Sequence, residues 1–67
     1  LIEDEHVKLD EIHEVIGIAA TWLMKSFQPI KARSIIMVLR AREAEVTDCR
    51  EKSIYAAARQ MVMNKMQ

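Results

Sequence analysis

"EVIGIAATWLMKSFQPIKA", residues 14–32, decides how this chain folds. Its first eleven residues are almost wholly apolar and include the chain's one glycine, Gly17, and its one tryptophan, Trp22. The remainder carries the one proline, Pro29. A proline disfavours helical geometry in the residue before it and suits the first turn of the helix that follows. The stretch therefore predicts the end of one helix and the start of another. One Gly and one Pro in 67 residues favour helix over sheet, because β-proteins need turn residues at short intervals.

Upstream, Ile2, Leu9, Ile16 and Leu23 recur every seven residues, with Ile12 and Ala19 between them. That heptad pattern predicts a first helix from about Glu3 to Phe27. Val15 and Trp22 widen the stripe on one side, Ala20 and Phe27 on the other. The arc is wider than a two-stranded seam needs, so one flank is expected to serve the chain's own core and the other a second subunit. Gly17 costs the helix about 1 kcal/mol against Ala, and close approach by a neighbouring helix is a natural reason for it. Downstream, a second helix over about residues 30–44 places Ala32, Ile35, Ile36 and Leu39 on one face. Thr47 or Asp48 is suited to cap a third helix, and Asp48 with Glu51 has the spacing of a capping box. That helix, over about 49–65, would turn Ile54, Ala57, Ala58, Met61 and Val62 inward.

The fold class expected is all-α: three helices forming a hairpin or bundle in a single domain over residues 1–67. Their apolar surface exceeds what so short a chain can hide, and a symmetric homodimer would resolve the excess. Leu9, Ile12, Ile16, Ala19, Trp22 and Leu23 are the expected interface residues.

Composition narrows the function. Net charge is zero, yet residues 1–24 hold six acids against Lys8, and the rest holds nine bases against four acids. The two parts can attract each other, within the chain or between chains. Strong binding of nucleic acid by charge alone is not supported. Lys31 and Arg42 on one edge of the second helix, with Arg33 and Arg40 on the other, would offer weak, non-specific contacts to DNA or to an acidic partner. A single cysteine, Cys49, excludes an intrachain disulfide and fits a reducing, cytoplasmic setting. No apolar run is long enough to cross a membrane, and no secretory signal pattern is visible. The chain begins at Leu1 rather than Met, as a piece of a longer protein would.

No constellation of catalytic type stands out, and neither enzymatic activity nor a cofactor is expected. His6, Asp10 and His13 share one side of the first helix, but three ligands on one helix make a poor metal site. The better reading is that both rings sit at the edge of the apolar stripe, where an amphipathic side chain is comfortable; a pH-sensing role for His6 and His13 is the alternative to it. The acids around them would favour the protonated ring and raise its pKa. Cys49 lies near a helix start, which lowers a thiol pKa, but no His stands near it in sequence.

Ile16-Gly17, Ala19, Thr21, Leu23-Met24, Ile35-Ile36, Leu39 and Asp48 keep a pattern and spacing that resemble the AriR/YmgB family of small bacterial regulators of biofilm formation and acid resistance. The resemblance spans about residues 13–62; the acidic N-terminus and the basic edges of the second helix depart from it. It implies a non-enzymatic, all-helical homodimer that acts as a connector to a sensor-kinase phosphorelay, with DNA binding in some members. The tail "YAAARQMVMNKM" resembles, more faintly, the Hha/YmoA modulators that partner nucleoid proteins. The second function class it implies is a transcription modulator acting through DNA or a DNA-binding partner.

Overall fold

In the computed structural model, described for residues 7–66, three helices follow one another: α1 (Leu9–Lys25), α2 (Ala32–Glu45) and α3 (Cys49–Lys65). No strand occurs among the described residues. The all-helical reading holds, and so do both breaks.

The first helix is shorter than the heptad suggests. Val7 and Lys8 are not helical, and the Glu11 carboxylate reaches back to accept the Lys8 backbone N–H at 3.0 Å, fixing the helix start there. Ile2, the first heptad position, lies outside the described residues. At the other end the helix stops at Lys25 rather than running through Phe27. Phe27 adopts a left-handed conformation, φ 57°. Its N–H bonds to Met24 O at 3.1 Å, and the Gln28 N–H reaches back to Leu23 O at 2.9 Å. This pair of bonds is a Schellman turn, which normally has glycine in the left-handed place. Pro29 and Ile30 then lie before α2, not in its first turn as the sequence suggests. Lys31 stands at the α2 N-cap and supplies no side-chain hydrogen bond. The third helix begins as expected: Asp48 Oδ2 accepts the Glu51 N–H at 3.0 Å.

The buried stripe of α1 is Ile12, Val15, Ala19 and Leu23, at steps of three, four and four. A short straight helix keeps about 3.6 residues per turn, so it drifts away from a strict seven-residue repeat. Val15 thus turns inward, while Leu9, first of the described heptad positions, faces out at 54% exposure. Ile12, Val15 and Ala19 meet Leu39 of α2 and Ile54, Tyr55 and Ala58 of α3 in one core. Ala57, Met61 and Val62 pack against it as expected, joined by Ile16, Ile35, Val38 and Val46. The molecule is only 17 Å through its thinnest dimension, so little can be fully enclosed. Leu39 is the largest side chain fully buried among the described residues.

Polar contacts close the rim of this core. Arg50 of α3 grips Glu11 of α1 through two bonds, of 2.6 and 2.9 Å. The acidic early part and basic later part thus do attract each other within the chain. Between α2 and α3, Arg59 meets the Glu43 carboxylate at 3.1 Å, and Lys52 Nζ donates to the Glu43 carbonyl at 3.1 Å.

Two stability measurements test this packing. Leu39→Ala should lower the unfolding free energy by about 2–5 kcal/mol, most of what so small a domain has. Urea titration followed by circular dichroism reads it directly. Phe27→Gly should act oppositely, raising stability by about 1 kcal/mol, because glycine occupies the left-handed turn without strain. A loss of stability in the glycine variant would show that Phe27 packs on the chain after all.

Candidate interaction surface

Once Ile12, Ala19 and Leu23 are buried in the chain's own core, the expected interface set divides. Those three are not available to another subunit, and Ile16 packs half-buried beside them. Leu9 and Trp22 face outward. The reason is the stripe drift already described: the inward face of α1 runs through Ile12, Val15, Ala19 and Leu23 and leaves Leu9 and Trp22 outside it.

Trp22 is the centre of what is left uncovered. It stands on α1 at 52% exposure, a ridge between two shallow apolar depressions. One lies where α1 meets α2, against Met37, Val38 and Ala41. The other lies along the outer side of α1, beside Gly17, Ile18 and Thr21. Tryptophan and methionine are the side chains best suited to such a place, one rigid and broad, the other adaptable. Met37 is 68% exposed, and Met24 on α1 and Ile30 before α2 are exposed as well. Phe27 is 96% exposed, held out by its left-handed turn. A large ring in a strained conformation with nothing to pack against is a costly arrangement for a monomer.

Gly17 lies on this outer side, and a side-chain carbon added there would meet nothing within 4 Å. No helix of the chain's own described residues approaches it, so the neighbouring helix expected at the glycine is not supplied by these residues.

The four basic residues do not form a row. Lys31 precedes α2 and is exposed; Arg33 and Arg40, two turns apart on α2, are exposed too. Arg42 is engaged instead: its Nε donates to the Tyr55 hydroxyl at 3.0 Å, and its guanidinium lies 5.8 Å from the centre of that ring. Tyr55, buried in the core, was not among the inward residues expected of the third helix, nor was its use of Arg42. An aromatic side chain with a polar tip needs a partner when buried, and a basic residue on a facing helix is a signal that only the fold makes readable.

Of the two histidines proposed as pH sensors, His6 lies outside the described residues. His13 is exposed on α1. Among the described residues no three of His, Cys, Asp and Glu converge to hold a metal ion. Cys49 is a free, exposed thiol at the start of α3. No described helix is long and apolar enough to cross a membrane.

The group whose acidity the structure does change is Glu11. The Arg50 guanidinium bonded to it, aided by the Lys8 backbone N–H, lowers its pKa from an ordinary 4.5 to about 2. Compared with known protein families, with characterised proteins and with solved structures, the chain matches none.

A depressed carboxylate pKa stabilises the fold above the ordinary value, and the contribution is lost as pH falls toward the folded value. Here the window runs from 4.5 down to about 2. The urea midpoint of the native chain should therefore fall across that window, and that of Glu11→Gln should fall less. Parallel acid limbs in the two proteins would remove Glu11 as the acid-labile link between α1 and α3.

Proposed function

We propose that this protein is a non-enzymatic regulatory module that self-associates and works by binding other proteins, serving as a connector in bacterial biofilm and acid-stress regulation. The observation that carries the binding role is the uncovered apolar ground around Trp22, with the exposed Ile18 and Met37 beside it. A helical domain of this size gains by hiding such a surface against a partner, and aromatic residues commonly dominate the energy of doing so. The regulatory setting rests on the resemblance of residues 13–62 to the AriR/YmgB pattern, and with it the proposed phosphorelay partner and a cytoplasmic place of action.

A nucleoid-associated role is the second reading. Its support is the pair of exposed arginines, Arg33 and Arg40, with Lys31 nearby. Arg42, committed to Tyr55, contributes little to it. With so few bases, duplex binding would be weak, in the non-specific range of roughly 10⁻⁴–10⁻⁶ M at physiological salt, and would fall steeply as salt rises.

Sedimentation equilibrium of the native chain and of Trp22→Ala tests the first reading. The native chain should be dimeric at tens of micromolar, and the variant, still helical, should dissociate more readily by about 2 kcal/mol. Equal association in both would show that the Trp22 surface is not used. Tight, salt-resistant DNA binding by the native chain would favour a transcriptional role over the connector.

A further inference from the structure

The positions that line the outer side of α1 are spaced alike from both ends. In order, the residues lining its depression are Glu14, Gly17, Ile18, Thr21, Trp22 and Lys25. Reflect the numbering about the midpoint between residues 19 and 20, and Glu14 exchanges with Lys25, Gly17 with Trp22, and Ile18 with Thr21. A two-fold symmetric pair of antiparallel helices brings such residues together, since residue i meets j wherever j meets i. The geometry points to a second copy of this chain as the occupant: α1 packs on α1 of the partner, antiparallel, about an axis at that midpoint. This rests on the self-association just proposed and fixes its register.

Each of the three exchanges is complementary. Glu14 and Lys25 are both exposed and make no ion pair among the described residues. They lie eleven residues apart on one helix, roughly 16 Å along the axis, too far to pair within a chain. In the antiparallel dimer each carboxylate meets the partner's ammonium, twice by symmetry. Parallel packing would instead set Glu14 against its own copy and Lys25 against its own, repelling at both ends. Gly17 and Trp22 fit as notch and knob. The absent side chain leaves open space where a broad indole from the partner can lie against bare backbone, which gives the glycine a use that its own chain does not. Ile18 and Thr21, nearest the axis, supply methyl groups at the centre. The steps between these positions are three, one, three, one and three, the spacing of a single helical face.

Charge exchange tests the register. Sedimentation equilibrium at neutral pH and low salt would compare the native chain with Glu14→Lys, Lys25→Glu, and the chain carrying both changes. Each single change turns two attractions into two repulsions and should raise the dimer dissociation constant roughly tenfold. The double change restores opposite charges and should bring the constant back to near the native value. Gly17→Leu supplies an independent arm. It should remain helical, with unchanged or raised thermal stability, yet lose the dimer because the notch is filled. A native dimer indifferent to the single changes, or not restored by the double one, would overturn this register and leave self-association standing. A dimer unaffected by Gly17→Leu would also overturn it. A native chain that stays monomeric to about 1 mM would overturn both, and would assign the surface to a different protein.

Discussion

Leu39 meeting α1 and α3 is the contact on which the fold depends. A bundle so thin has few positions hidden from water on every side, and among the described residues Leu39 is the one large side chain that reaches complete burial. In the core with it, Ala19 and Ala58 are wholly buried, small side chains that let α1 and α3 come near enough to share it. Alanine contributes little transfer energy of its own. Its value lies in the short distance between helix backbones that it permits, and so in how much of its neighbours is covered.

A core this small leaves the helices only loosely specified by apolar contact, and the polar links on its rim supply direction. Arg50 holds the first turn of α1 to the first turn of α3 through both oxygens of Glu11, a geometry that lysine could not reproduce. Arg42 and Tyr55, then Glu43 with Arg59 and Lys52, set the angle between α2 and α3. These pairs are partly wet, and each adds little to stability alone. Their effect is on register. The same pairing withdraws Arg42 from the surface and thins the basic face on which a DNA-binding role would depend.

Much of this architecture was legible in the residues, because its signals are local. Asp48 and Glu51 mark a helix start through side chains that act within one turn, and α3 begins where they place it. Pro29 marks a break for a similar reason, although the turn it follows pushed α2 two residues further on. What could not be read was non-local or energetically unfavourable. The heptad in α1 suggested an inward face rotated from the real one, since Leu9 and Val15 exchange roles only when the helix stays straight in a short bundle. Tyr55 took Arg42 because of a helix pairing that no spacing rule displays. Phe27 occupies a place that propensity reserves for glycine, and a reading by propensity will miss it.

That last exception and Gly17 are mirror images in conformational terms. One position has a bulky residue where glycine would be easier; the other has glycine where any good helix former would be easier and would fit. Gly17 lies on α1 beside the exposed Trp22, and Phe27 lies in the turn that ends the helix. The monomer gains nothing from either choice: Phe27 is nearly bare, and the space over Gly17 is empty. Sequences that specify their fold well tend to break local rules where function, not folding, sets the residue. Two breaks of opposite sense, one within α1 and one in the turn that ends it, are the places where the residue chosen answers least to the needs of the monomer fold.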